Sequence, residues 1–345
     1  MRAVLIKDGK GPVENLYIGE TPKPTPGPGQ VVVKIKTFGL NRMDIHQRDG
    51  HYPPPPGAST ILGVEFAGTV DEVHADSQGS FKVGDEVLGL VGGGAYAEYV
   101  ACSEKLLVPK PAHLSWAEAA SIPENFLTAF QSLILCAGLK KGDNVLIHAG
   151  ASGVGMAGIQ LSRLYGAATV TATASSQSKL DALLQMPNGA THVANYKTQD
   201  FSEEVLKNTN KKGADVVIDF VGQSHWNKNL ASSLELRIRA SMALEGRMTM
   251  LGLLSGSEVE KANLAPILYK RLRIQGSTLR SRTLDYQANL VHRFKEEALE
   301  KITGCGGDGP LKTSIHRVYP WTQIQDAQRE MQDDKNSGKI IVEVV

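Results

Sequence analysis

The run Asn144-Val145-Leu146-Ile147-His148-Ala149-Gly150-Ala151-Ser152-Gly153-Val154-Gly155 constrains the fold more than any other stretch of the chain. Val145 to Ile147 is a short apolar segment with β-branched members, a Gly/Ser cluster breaks it, and Ile159, Leu161 and Leu164 then recur at helical spacing. Strand, glycine turn and helix therefore succeed one another directly. Glycine lets backbone N–H groups approach a ligand closely, and a helix N-terminus offers unpaired donors and a positive dipole end to a phosphate. A turn of this kind also serves as a plain βα connection, so its meaning depends on the elements around it.

Beyond Gly155, strands and helices alternate. Ala168 to Thr173 reads as a second strand, Gln177 to Gln185 as a helix, His192 to Asn195 as a third strand and Phe201 to Asn208 as a helix. Asp215 to Phe220 is a fourth, buried strand by its β-branched run, and Arg247 to Leu251 before Gly252 is a fifth. Asn263 to Arg271 is expected to be helical and Leu272 to Thr278 to be a sixth strand. Such a pattern specifies an α/β fold with a doubly wound parallel sheet, which binds ligands at the carboxyl ends of its strands.

The end of the second strand discriminates between cofactors. A carboxylate about 20 residues after the glycine turn would hydrogen-bond a ribose 2′-hydroxyl and select NAD. Here the strand runs into Thr173-Ala174-Ser175-Ser176-Gln177-Ser178-Lys179, with no acid before Asp181. Hydroxyls, helix-terminal amides and a lysine suit a dianionic 2′-phosphate, so NADPH is the expected cofactor. Ser175 and Ser176 also suit helix caps, a role compatible with phosphate binding.

The first third of the chain is organised differently. Ala3 to Lys7, Gln30 to Lys36, Gly68 to Val73, Glu86 to Leu90 and Ala97 to Val100 read as short strands, and the proline-rich loop Thr21 to Gly29 can sustain neither helix nor central strand. Many short strands separated by Gly and Pro point to an antiparallel, barrel-like domain. Gly39 to Arg48, Gly50 to Gly57 and Leu62 to Gly68 stand out within it; each has a bland account as an exposed polar helical turn, a polyproline connector and a bulged strand. Ala288 to Ile302 and Thr322 to Met331 read as amphipathic helices, and Lys339 to Val345 as a final strand completing the N-terminal sheet.

At 345 residues, two domains are expected. A formal net charge of +1 gives no bias toward nucleic acid or an acidic membrane surface. Cys102, Cys136 and Cys305 form no C-x-x-C pair and read as buried or incidental thiols rather than a disulfide framework or a zinc site. The N-terminal apolar strand passes straight into Lys7-Asp8-Gly9-Lys10 without a signal-peptide pattern, and no window has the length of a membrane span, so a cytoplasmic address is expected.

Several stretches resemble the zinc-lacking quinone oxidoreductases of the medium-chain dehydrogenase/reductase superfamily, in the branch of the tumour-suppressor-inducible quinone oxidoreductases. They are Leu40-Asn41-Arg42-Met43-Asp44, Gln47-Arg48, Tyr52 to Ser59, Ile122-Pro123-Glu124, Leu127 to Gln131, Val145 to Gly155, Asn195-Tyr196-Lys197, Leu279-Arg280-Ser281-Arg282, Asp334-Lys335-Asn336 and Gly338-Lys339-Ile340. The resemblance spans nearly the whole chain. It implies a discontinuous GroES-like domain, 1–121 with 274–345, around a Rossmann NADP-binding domain, 122–273, and a homodimer paired through the sixth strand. Zinc alcohol dehydrogenases, the parent group, carry a Cys where this chain has Asn41 and a His where it has Val64. A catalytic zinc needs about three such ligands, so no metal is expected, and hydride delivery to an already electron-poor acceptor, a quinone or conjugated carbonyl, becomes the expected reaction.

By position, the resemblance implies that Asn41 and Asp44 line the active site and that Tyr52 is the cleft tyrosine facing the substrate, able to donate a hydrogen bond or proton to a quinone oxygen. It implies pyrophosphate contacts from Gly150, Ser152, Gly153 and Val154, and 2′-phosphate and adenosine contacts from Ser176, Lys179 and Tyr196. Thr128, Gly222, Gly252 and Leu253 fall on the nicotinamide side, and Ser277, Leu279 and Lys339, from the returning C-terminal part that also carries Arg280, are implied to bind the cofactor. Ser233 to Met242 looks additional to the family pattern: a helix extension, a bulging loop or a segment retained in the gene reading. If it packs under the fifth strand, it bears on the contacts at Gly252 and Leu253. Alternative readings are an NADPH-dependent enal or enone double-bond reductase, and a non-catalytic NADPH-binding protein of the crystallin-like or RNA-binding kind.

Overall fold

The computed structural model describes residues 1–77, 79, 81–230, 240–304 and 307–345. The chain divides into two compact units, one made of Met1–Leu127, Leu279–Gly309 and Thr313–Val345, the other of Thr128–Thr278 with Pro310–Lys312.

The second unit is built on a six-stranded parallel sheet in the order His192–Asn195, Thr169–Ala174, Asn144–Ile147, Ala214–Asp219, Met242–Met250, Arg273–Gly276. The order reverses beside Asn144–Ile147, the strand that feeds the glycine turn, and that reversal is where such sheets open a ligand crevice. Helices Gly153–Leu164, Gln177–Gln185, Phe201–Asn208 and Gln223–Leu230 intervene. Leu146, Val217, Met248, Phe201 and Val205 are buried together in its core, as β-branched and aliphatic runs covered by helices on a parallel sheet require.

The fifth strand begins earlier than expected, at Met242 rather than Arg247, with a register shift against Ala214–Asp219 where Glu245 takes a φ of 59°. Of the additional segment, residues 233–239 lie outside the described residues, while Ala240, Ser241 and Met242 are buried. The helix expected over Asn263 to Arg271 is confined to Ala265–Tyr269: Pro266 can stand only in a first turn, and the Asn263 side chain accepts the Ala265 N–H and fixes the start there. The sixth strand, Arg273–Gly276, is the sheet edge and is largely exposed.

The first unit carries a seven-stranded sheet centred on Gln30–Gly39. One stretch of that strand pairs with Glu65–Val73 and Tyr99–Ser103, and its last residues, Thr37 to Gly39, pair with Lys339–Glu343. The C-terminal strand thus completes the N-terminal sheet. Phe38, Phe66, Tyr96, Trp321 and Ile340 share the core, with the Phe38 and Tyr96 rings stacked at 4.4 Å between centroids. The helix Leu284–Glu297 starts before the expected Ala288, because the Thr283 hydroxyl caps it by accepting the Tyr286 N–H.

The polar segment Gly39 to Arg48 is not an exposed turn. Its helix, Arg42–Arg48, buries Asp44, Gln47 and Arg48. Arg48 is satisfied there by the Gly11 carbonyl, Asp49, Gln328 and Gln332, the condition under which a buried arginine is tolerated.

Candidate functional site

In the second unit, the turn after Asn144–Ile147 is packed too closely for side chains. A Cβ on Gly155 would lie 2.5 Å from the Ala149 carbonyl oxygen and 2.7 Å from that of Gly150, and a Cβ on Gly150 would lie 2.8 Å from the Ala172 Cβ. Ser152 caps the helix Gly153–Leu164 by accepting the Gly155 N–H at 3.0 Å. The first-turn amides of Gly153 and Val154 have no carbonyl in their own helix to bind, which leaves donors for an anion.

Ser176 occupies the cap position of Gln177–Gln185, yet its side chain makes no capping bond; its Oγ lies 3.3 Å from the Ser178 Oγ. Lys179 follows on the first turn, partly buried. Tyr196 leaves the neighbouring strand, pairs its N–H with the Ala174 carbonyl at 3.3 Å and keeps 39% of its surface exposed. Ser176, Lys179 and Tyr196 are thus gathered at the carboxyl ends of two adjacent strands.

Gly222 follows the fourth strand at a φ of +80°, in a turn closed by the buried Asp219, whose Oδ1 accepts the N–H groups of Val221 at 2.7 Å and Gly222 at 3.2 Å. Gly252 and Leu253 follow the fifth strand against it: a Cβ on Gly222 would meet Leu253 Cδ2 at 2.9 Å, and one on Gly252 would meet the Phe220 oxygen at 3.0 Å. Thr128 is half-buried near the end of the helix Pro123–Phe130, its carbonyl accepting the Ser132 hydroxyl.

Ser277 ends the sixth strand with its N–H on the Met250 carbonyl; its hydroxyl takes the Gln131 amide Nε2 and lies 3.6 Å from Cys136 Sγ. Gln131 begins a π-helical turn, Gln131–Cys136, a form that recurs at functional sites. Its Nε2 also donates to the Thr278 carbonyl, which leaves the buried Oε1 without a partner among the described residues.

Sequence reasoning missed Gln131, and it missed a buried histidine pair. His148, directly after the first strand, is held between the Thr173 hydroxyl and Asn229 Oδ1, and its ring lies 4.6 Å from that of His225. Burial pushes both imidazoles down to about 4, so both are neutral. A histidine at the end of an apolar strand was the available signal.

In the first unit, Asn41 heads the helix Arg42–Arg48, where Asp44 Oδ2 accepts its N–H at 2.8 Å. The Tyr96 hydroxyl donates to the same oxygen at 2.9 Å, while Asp44 Oδ1 is buried with no partner among the described residues. Burial raises the Asp44 carboxyl to about 6. The Asn41 side chain donates to Glu65 Oε1 at 2.9 Å and accepts from Lys339 Nζ at 2.6 Å. Lys339 forms a buried ion pair with Glu65, whose other oxygen takes the Glu124 N–H. Lys339 is therefore gathered with Asn41, and its donors go to Glu65, Asn41 and Asn125.

Tyr52 is half-buried, and burial pushes its hydroxyl above the usual range. The Arg280 guanidinium lies 5.7 Å from its ring centroid. Leu279 is buried beside Arg280 in sequence, its carbonyl accepting the Gln287 amide.

The donor sets can be tested against the groups they would hold. The closely packed turn, the open amides of its helix and the serine, lysine and tyrosine beyond it fit a phosphate-bearing dinucleotide. The Asn41 cluster does not fit zinc: an amide, a carboxylate and an ammonium are bonded to one another, with Val64 beside them in sequence, and thiolate and imidazole donors are lacking. Among the described residues, no group of three or more His, Cys, Asp or Glu could hold a metal ion. Also among them, no helix is long and apolar enough to cross a membrane.

Comparison with known proteins identifies the fold and family. Residues 27–112 match the alcohol dehydrogenase GroES-like domain, and residues 153–296 match the zinc-binding dehydrogenase family. The mouse synaptic vesicle membrane protein VAT-1 homolog is 30% identical over 350 residues, covering 98% of this chain and 82% of the relative. Among solved structures, the CurK enoyl reductase superposes with a TM-score of 0.82 at 28% identity, covering 99% of this chain and 98% of that one. A quinone oxidoreductase from Pseudomonas syringae pv. Tomato DC3000 superposes with a TM-score of 0.79 at 28% identity, covering 99% of each chain. Mycobacterial Rv1454c, solved with NADPH, gives 0.81 at 26% identity over 100% of each chain. These similar proteins include an enoyl reductase, a quinone oxidoreductase, a protein solved with NADPH and a VAT-1 homolog, and the chain belongs to the zinc-independent, quinone oxidoreductase-like family of the medium-chain dehydrogenase/reductase superfamily.

Proposed function

We propose that the protein is an NADPH-dependent quinone oxidoreductase that reduces ortho- or para-quinones without a metal. The observation that carries this reading is the closed cluster of Asn41, Glu65 and Lys339, whose side chains bond one another and include neither thiolate nor imidazole. An acceptor that is electron-poor in itself suits such a site. NADPH supplies the hydride when bound.

The chain's own residues bind, orient and exclude water. Gly150, Ser152, Gly153 and Val154 take the pyrophosphate, and Ser176, Lys179 and Tyr196 the 2′-phosphate and adenosine. Thr128, Gly222, Gly252, Leu253, Ser277 and Leu279 flank the nicotinamide. Asn41, held from both sides, and Asp44 shape the wall against which the acceptor rests. Tyr52, kept protonated at neutral pH, offers its hydroxyl hydrogen to the acceptor oxygen. The protein is cytoplasmic and homodimeric in this reading, pairing through the exposed edge strand Arg273–Gly276, next to the exposed Leu264, Leu268 and Tyr269.

A second reading, reduction of enals or enones, is favoured by the likeness to the CurK enoyl reductase. Steady-state oxidation of NADPH and of NADH with ortho-quinones, para-quinones and enones side by side tests both. Quinone turnover with NADPH preferred is the expected result; enone turnover alone would replace it with the second reading, and turnover of neither would leave a binding protein.

A further inference from the structure

The Arg280 guanidinium is 5% exposed, and Asp44 and Glu124 act on it through space without a hydrogen bond to it. Its Nε donates to the Gly92 carbonyl at 2.7 Å and one terminal nitrogen donates to Gln47 Oε1 at 2.7 Å, both uncharged partners. The other terminal nitrogen is buried and has no hydrogen-bond partner among the described residues. Gln47 is itself fixed, its Nε2 on the Thr60 carbonyl, so the guanidinium is clamped on one side and open on the other. Tyr52 lies over it, the guanidinium carbon 5.7 Å from the ring centroid.

A buried, always-charged group with unmade donors is costly unless something completes it. Asp44 attracts it through space but does not bond it, its own Oδ1 having no hydrogen-bond partner among the described residues. Nor is the position one that packing alone explains, since an apolar side chain would need neither the Gly92 carbonyl nor the Gln47 amide. An anionic oxygen brought by a ligand would complete the guanidinium.

We propose that Arg280 is the anion-holding residue of the acceptor site, taking the quinone oxygen that becomes negatively charged on reduction, with Tyr52 beside it. The inference rests on the quinone reading above. The overall balance is NADPH, quinone and one proton giving NADP⁺ and hydroquinone. Hydride transfer breaks the C–H bond at the nicotinamide C4, forms one O–H bond on the quinone and leaves the second oxygen anionic. Arg280 stabilises that phenolate until it takes the Tyr52 hydroxyl proton, which water restores. The substrate class is therefore quinones whose reduced oxygen can reach a guanidinium, and their phenolates are expected to be the tightest ligands.

The test titrates 4-nitrocatechol, a chromophoric phenol, against the full chain in the presence of NADP⁺, reading its ionisation by absorbance. In the wild type, bound 4-nitrocatechol ionises at lower pH than free. Arg280→Met is expected to abolish that shift and to weaken phenolate binding by about tenfold or more, the scale of one charge-assisted hydrogen bond. Arg280→Lys is expected to restore part of both, with NADP⁺ affinity unchanged throughout. Should the methionine variant fail to fold, Gln47→Glu places a counter-charge on the guanidinium and is expected to weaken phenolate binding likewise. Equal phenolate binding in the wild type and the variant that folds, no phenolate binding by the wild type, or a loss confined to NADP⁺ affinity would overturn the proposal. Arg280-dependent phenolate binding without quinone turnover would instead sink the quinone reading and leave the anion site standing.

Discussion

Lys339 Nζ lies 2.6 Å from Asn41 Oδ1, both side chains buried, and the same ammonium is paired with Glu65. Removing one member of a buried pair leaves an uncompensated charge, which costs about 3–5 kcal/mol, whereas replacing both is far milder. Lys339→Met is therefore expected to lower unfolding stability by that amount, and Lys339→Met with Glu65→Gln to recover most of it. Urea unfolding of the two variants and the wild type measures the difference, and equal losses would show that the pair is not the source.

The Asp44 carboxyl, raised by burial to about 6 from an ordinary value of 3.8, binds its proton more tightly in the folded state than in the unfolded one. Its contribution is fully present below about pH 4 and is lost as pH rises through about 6. Relative to Asp44→Asn, the wild type is expected to lose up to about 3 kcal/mol between those limits, with no further change above pH 7. Melting temperatures across pH 4 to 8 give the comparison, and parallel curves would refute it.

His148 works in the opposite direction. Its imidazole is depressed to about 4 by burial, so its stability is fully present above pH 6.5 and is lost as pH falls toward 4. His148→Gln is expected to flatten the acid limb of the stability curve by about 3 kcal/mol over that window. Urea midpoints at pH 4.5 and 7 in both proteins provide the check; an unchanged acid limb would place the titration elsewhere.

Ser176, with no capping bond of its own, is expected to set cofactor choice. Ser176→Asp should weaken NADPH by roughly 10- to 100-fold while leaving NADH within a few-fold, since a carboxylate repels a 2′-phosphate and accepts from a 2′-hydroxyl. Quenching of nucleotide fluorescence on titration measures both constants, and an unaltered ratio would remove Ser176 from the phosphate.

The parallel sheet was legible because β-branched runs, glycine turns and helical periodicity agreed from Val145 to Asp219. Boundaries shifted where a side chain intervened: Thr283 drew a helix start forward, and Pro266 with Asn263 shortened another. The site was less legible. Gly39 to Arg48 reads as a polar surface turn until Tyr96, Glu65 and Lys339, remote in sequence, enclose it. Residue types along the chain carry no record of which polar atoms will meet: His148 at the end of an apolar strand was a visible signal, but neither its pairing with His225 nor the partners of Gln131 could be read from the chain.

The strand Lys339–Glu343 pairs with Thr37 to Gly39, and Lys339 reaches Asn41 across a sequence separation of 298. In order of synthesis, every residue from Thr128 to Thr278 leaves the ribosome before that strand exists. The unit holding the glycine turn can therefore close on itself while the sheet begun first still has an open edge. Asn41 acquires its charged partner only when the final strand docks, so an interrupted chain would be able to close the glycine-turn unit long before the Asn41 cluster was complete.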